Sequence, residues 1–140
     1  MRRVRVFSTH PKTRLRREET IRLVRYVLRD EGCVDADINI VFTDDTLMRR
    51  MNYKYLGHKH ATDVLSFSLC EQGASDLEGE VYVNVDQARR QSVSYAVPVK
   101  EELRRLVAHG VLHLLGYNDK TEPERRSMML KENSFVQKGD

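Results

Sequence analysis

Cysteine and proline are scarce in this 140-residue chain, at two and three residues, and glycine is little commoner at seven. The cysteines, Cys33 and Cys70, stand far apart and form no C-x-x-C pair, which argues against a disulfide framework or a cysteine zinc site. No apolar run approaches membrane-spanning length. The basic opening "MRRVRVFSTHPK" is followed by no apolar signal core. The expectation is a cytoplasmic protein with no membrane partner. Low-complexity stretches, internal repeats and linkers are also missing. The length suits one domain, residues 1–140, and suffices to bury a core without staples.

What is present is ordinary in amount, with 40% hydrophobic and 32% charged residues, and informative in arrangement. Net charge is only +3, but "RLRREETIRLVRYVLRD" places six arginines in one expected helix. "RRMNYKYLGHKH" adds Arg49, Arg50, Lys54, Lys59 and two histidines. Long cationic side chains often just solvate a helix face. Beside other signs of a nucleic-acid role they become candidate phosphate contacts, and Arg22, Arg25, Arg49, Lys54 and Lys59 are then the RNA-binding candidates.

Hydrophobic period gives the order of elements. "RVRVF" alternates as a strand near Arg3 to Phe7. Ile21, Val24, Val27 and Leu28 recur at helical spacing between Leu15 and Glu31, and Gly32 supplies a stop. "DINIVF" is a second strand, and "TDDTLMRRMNYKYL" a second helix opened by cap-type residues, with Leu47, Met48 and Met51 as its apolar side. "TDVLSFSL" and "EVYVNV" read as strands that pair across the polar connection "CEQGASDLEG". A short helix opens at Asn84 or Asp86. A long one runs from Val99 to about Leu115 and ends at Gly116. Thr121 and Glu124 form a capping-box pattern before a last helix, whose candidate core contacts are Met128, Met129 and Phe135. The order β-α-β-α-β-β-α-α-α predicts an α/β (α+β) fold, a small mixed four-stranded sheet packed with about five helices.

Leu103, Leu106, Val107, Gly110 and Leu114 share one stripe of the long helix. His109 and His113 lie one turn apart on the flank of that stripe, so their rings can converge. Two such rings can each bond a backbone carbonyl, or they can hold a divalent ion as neutral ligands. Gly116 lets the chain turn sharply, and Asp119 follows close enough to come back toward both rings. The spacing His109-x-x-x-His113-x-x-Gly116-x-x-Asp119 has the layout of a zincin metal helix. Two nitrogens and one oxygen leave a coordination position open, as catalytic zinc sites do. Zincin peptidases carry a glutamate base after the first histidine. Here that position is Gly110, whose missing side chain is expected to leave room beside the metal, and a metallopeptidase fits poorly.

"HGVLHLLGYND" closely resembles the YbeY family signature H-G-x-L-H-L-x-G-Y-D-H. "MNYKYLGHKHATDVLSFS" is similar to the family's L-N-x-x-Y-R-x-x-D-x-P-T-D-V-L-S-F-P segment, and "GEVYVN" resembles its G-D-I strand. The likeness runs in order from about Ile38 to the last helix. It implies one zinc ion, or another divalent transition metal, on His109, His113 and Asp119. It implies single-strand-specific endoribonuclease activity in maturation of the small-subunit ribosomal RNA 3′ end and in ribosome quality control, with ribosomal RNA and small-subunit proteins as partners. Two positions depart from the pattern. Asp119 stands for the family's third histidine, and Leu56 for an arginine tied to catalysis or RNA binding. Asp63 and Glu80 are candidate proton handlers or partners of the histidines; equally, Asp63 can hold a turn and Glu80 can sit on an exposed sheet face. The alternative to catalysis is an assembly factor that binds RNA and keeps a structural metal.

Overall fold

A computed structural model describes residues 1–13, 15–70 and 76–138. Nine elements follow one another: β1 (Arg2–Ser8), α1 (Arg17–Asp30), β2 (Ala36–Thr43), α2 (Asp45–Leu56), β3 (Val64–Ser68), β4 (Leu77–Asn84), α3 (Val85–Tyr95), α4 (Val99–Leu114) and α5 (Glu122–Lys138). The strands form one mixed sheet in the order β1-β2-β4-β3. β1, β2 and β4 are parallel, and β3 pairs antiparallel to β4. Residues 71–75 of the polar connection and Arg14 lie outside the described residues.

Alternation along the strands decides which face of the sheet is covered. Register aligns Val4 with Ile38, Val6 with Ile40, Ile40 with Val81, Phe42 with Val83, and Val83 with Val64. These side chains build the apolar face that α1 and α4 cover. The intervening residues face the other way, where Arg5 bonds Asn39 and Asp37, and Asn39 bonds Glu80. Parallel strands packed on both faces would read as continuous apolar runs. Here one face is largely polar, so the period of two is visible in the sequence.

α1 buries Leu23, Val24, Val27 and Leu28 and turns Arg22, Arg25 and Arg29 outward. It begins at Arg17, so four arginines ride on it rather than six; Arg16 is its N-cap. Asp44 caps α2 by accepting from Leu47 N, and Asn84 caps α3 by accepting from Gln87 N. Val85, expected on β4, is already the first residue of α3. The Thr121–Glu124 capping box closes in both directions, at 2.9 and 3.3 Å. Met128 and Phe135 enter the core, but Met129 is 51% exposed, because it sits one residue round the helix from the buried position.

α4 is the central element, packed against β3, β4, α1, α3 and α5. Its close approach to the sheet rests on two glycines. A Cβ on Gly110 would lie 2.3 Å from Val81 Cγ1, and one on Gly79 would lie 2.7 Å from Leu114 Cδ2. Ser66 Oγ donates to the Gly110 carbonyl at 2.8 Å across the same contact. This corrects the expectation for Gly110: its missing side chain makes room for β4, not for the metal. Gly110→Ala is expected to lower unfolding free energy by about 1–3 kcal/mol through overpacking. Helix propensity would favour the alanine by roughly 1 kcal/mol. A chemical denaturation curve as stable as wild type would show that the contact relaxes freely.

Candidate metal centre

The last two turns of α4 deliver both histidines to one point. Their Nε2 atoms are 3.0 Å apart, with ring planes at 79°. Gly116 then takes a φ of +102°, which a side chain would strain. Gly116 N donates to His113 O and Tyr117 N to Leu112 O, the paired bonds of a Schellman stop. That stop aims the following loop back at the helix. Asp119 Oδ2 comes to 3.3 Å from His113 Nε2 and 3.5 Å from His109 Nε2. Arg125 holds the loop from α5, donating to the carbonyls of Asp119 and Lys120 at 3.3 and 3.0 Å. Tyr117 also reaches Glu31, which Lys131 bonds at 2.9 Å, so α1 and α5 both pin the turn.

The partners of the other ring nitrogens fix what faces the centre. His113 Nδ1 lies 2.9 Å from the Tyr117 carbonyl, which can only accept, so Nδ1 carries the proton. His109 Nδ1 lies 2.5 Å from Glu132 Oε2, a second acceptor. In the neutral rings both Nε2 atoms therefore present lone pairs, and the Asp119 oxygen adds a third. Three acceptors facing one another suit a proton or a cation between them. Bonds of about 2.0–2.1 Å in a tetrahedron put neighbouring ligand atoms roughly 3.3 Å apart. The observed separations, 3.0, 3.3 and 3.5 Å, bracket that value. His109, His113 and Asp119 thus form a group able to hold a metal ion, and their partial exposure leaves a side open to solvent.

A sequence profile described as Endoribonuclease YbeY matches residues 7–139. The chain belongs to the YbeY family. It is 34% identical over 131 residues to an Endoribonuclease YbeY of Chloroherpeton thalassium, covering 94% of this chain and 92% of that one. The YbeY endoribonuclease of Salinibacter ruber is 37% identical over 134 residues, covering 91% and 85%. The fold is shared with TM1509 of Thermotoga maritima, known from a solution structure, at a TM-score of 0.70 and 24% identity over 97% of this chain and 88% of that one.

Around the triad, the YbeY-family chain gathers some expected residues and leaves others apart. Asp63 lines a cavity of about 440 Å³ together with His109, His113, Asp119, Ser66 and Leu56. Its carbonyl also accepts from Asn84 N at 2.8 Å, so it holds the entry to β3 as well. Glu80 is not brought to the site. It lies on the opposite sheet face, where Tyr82 Oη donates to it at 3.1 Å. Arg22 and Arg25 stay on the solvent face of α1, and Arg25 Nε donates to the Arg2 carbonyl. Arg49 and Lys59 line a separate cavity of about 410 Å³ with Arg50 and Tyr53. Lys54 lies over the Tyr55 ring, 5.2 Å from its centroid.

Glu132 is the functional residue that the sequence reading missed. It is only 7% exposed, bonds His109 and lies 3.7 Å from Arg105. No spacing rule links it to a histidine 23 residues earlier. The available signal was an acid on the buried Met128–Phe135 stripe of α5.

Burial alone would depress the His109 pKa. The Glu132 hydrogen bond and charge outweigh it, with Asp63 and Asp119 adding to the effect, and the pKa is raised. A raised pKa keeps the metal-free ring protonated to higher pH, so metal must displace that proton. Metal affinity is expected to fall about tenfold per pH unit below the His109 pKa. Calorimetric titrations in buffers of differing ionisation heat would reveal the released proton, and buffer-independent heats would contradict it. Glu132→Gln is expected to weaken metal binding about 10–100-fold with the fold kept, as read by competition with a chromogenic chelator.

Proposed function

We propose that this chain is a zinc-dependent endoribonuclease that cuts single-stranded RNA. Its role is maturation of ribosomal RNA at the small-subunit 3′ end, together with ribosome quality control in the cytoplasm. Membership of the YbeY family, with the family's metal-helix signature folded into a converging donor set, carries the reading. No described helix is long and apolar enough to cross a membrane.

His109, His113 and Asp119 would hold the zinc. When bound, it supplies Lewis acidity toward a phosphoryl oxygen and toward water. The two nitrogens and single carboxylate suit zinc and also tolerate nickel, iron or cobalt. Glu132 and the Tyr117 carbonyl fix the ring tautomers. Asp63, which lines the cavity beside the histidines, would take a proton from the attacking oxygen. Gly110 carries no base, and its position is filled by Val81, which disfavours peptidase chemistry. Arg49, Arg50 and Tyr53 of α2, with Lys59 just beyond it, offer cations and a ring to an RNA backbone. Lys54 on α2 and, separately, Arg22 and Arg25 on α1 are further candidate phosphate contacts. The partners implied are ribosomal RNA and small-subunit proteins.

Leu56 favours a second reading. It is 54% exposed at the mouth of the Asp63 cavity, where the family motif places arginine. Without that cation the protein could serve as an RNA-binding assembly factor whose metal only pins the Asp119 loop.

His113→Ala is expected to abolish both metal binding and cleavage of single-stranded ribosomal RNA fragments. Cleavage that survives in the metal-free variant would reject the enzyme. Leu56→Arg is expected to raise the cleavage rate about tenfold or more by adding a donor for transition-state charge. If wild type and Leu56→Arg both bind metal and RNA yet leave the RNA intact, the assembly-factor reading stands.

A further inference from the structure

His109 and Asp119 line two cavities. The one on the β3 side contains Asp63 and Leu56. The other, of about 500 Å³, opens between the end of α3 and α5. Tyr95, Val97, Met128 and Met129 give this second cavity an apolar wall. Tyr95 and Met129 are 61% and 51% exposed, so their surfaces face the opening without a partner from the fold.

The charged groups here suit a phosphate poorly. Arg105 lies 3.7 Å from Glu132 and 3.9 Å from Glu102, and Arg125 is engaged with the Asp119 and Lys120 carbonyls. Three carboxylates, Glu102, Asp119 and Glu132, share the wall with these two arginines. A flat neutral ring with a polar edge fits better. The polar edge of the wall comes from Asn133 and the Arg105 guanidinium. Glu102 is itself buried at 2% exposure, with its Oε2 accepting from Gln91 at 2.5 Å and its Oε1 facing Arg105 Nε at 3.9 Å, so it steadies that edge rather than meeting a ligand.

We propose that this cavity holds one nucleobase of an RNA strand whose neighbouring phosphate lies at the His109–His113–Asp119 group. The inference rests on the endoribonuclease reading and adds a positioning subsite to it. Tyr95 and Met129 clasp the faces of the base, Asn133 and Arg105 meet its edge, and the strand runs past the metal ligands to α5. Held at one base on the α5 side, the strand is positioned without the cation missing at Leu56.

The test is an abasic walk. A single-stranded RNA oligonucleotide is made with one base removed at each position in turn. Each version is titrated by fluorescence anisotropy against zinc-loaded full-length protein, with RNA integrity checked in the same samples. Wild type is expected to lose about tenfold in affinity at one position, the size of a single stacking contact. The exposed double variant Tyr95→Ala/Met129→Ala is expected to lose about tenfold on intact RNA and to show no further loss on the abasic RNA. Circular dichroism and zinc content verify that its fold and metal site persist. Wild-type affinity in the double variant, or a positional penalty that survives in it, would overturn the subsite and leave the nuclease reading intact. Failure of the wild-type protein to bind any of the RNAs would overturn both.

Discussion

The fit of α4 against the sheet is the contact on which everything else rests. This helix meets every layer of the molecule: β3 and β4 beneath, α1 and α3 at its sides, and α5 outside. Gly110 makes the tightest point of that packing, since no side chain fits between its Cα and Val81. Because all ten buried positions of α4 are committed to neighbours, the helix cannot rotate to re-aim its flank. His109 and His113 are thus positioned by a core, not by a loop. A metal site supported in this way keeps its geometry when the ion is absent.

The third donor is positioned differently. Asp119 sits on a loop, which alone would leave its carboxylate free to wander. Three restraints converge on that loop: the Schellman stop at Gly116, the Tyr117 link to Glu31 on α1, and the Arg125 clamp from α5. α5 further supplies Glu132 to His109. The last helix therefore serves the site twice, once through the loop and once through the ring tautomer.

What the sequence showed, and what it hid, divides along the range of the interactions. The element order, the hairpin pairing of β3 with β4, the cap at Thr121 and, as one of two candidates, the cap at Asn84 were legible. Each depends on neighbours within a few residues. The triad was legible for the same reason, since His109, His113, Gly116 and Asp119 lie within three helical turns of chain. Glu132 was hidden because its partner comes from another helix. Glu80 stayed open between two readings because alternation gives two faces without saying which one meets α4; the contacts of Val81 and Ser66 with Gly110 settle that. The role of Gly110 was misread because a glycine beside a ligand and a glycine against a strand look alike in sequence. Met129 was misplaced through the one-residue ambiguity of a weakly amphipathic helix.

Charge explains why the two departures from the family pattern belong together. A dication on His109, His113 and Asp119 keeps one net positive charge after the aspartate is counted, where three neutral histidines would leave two. Glu132 contributes a further negative charge behind His109, offset by Arg105 at 3.7 Å. Leu56 removes another cation from the cavity mouth. Each change weakens the attraction of the centre for a phosphodiester and its power to steady developing charge. A water on such an ion would also be less acidic, because the anionic ligand would donate charge to the metal. Affinity for RNA must then come from surfaces away from the ion. Two candidates are the Arg49–Arg50–Lys59 cluster with Tyr53, on and just beyond α2, and the proposed base subsite beside α5. The first would attract phosphate at range and weaken with salt, whereas stacking in the second would be insensitive to it. A protein that relies on both would lose only part of its RNA affinity as salt rises, whereas one relying on metal and basic residues alone would lose far more.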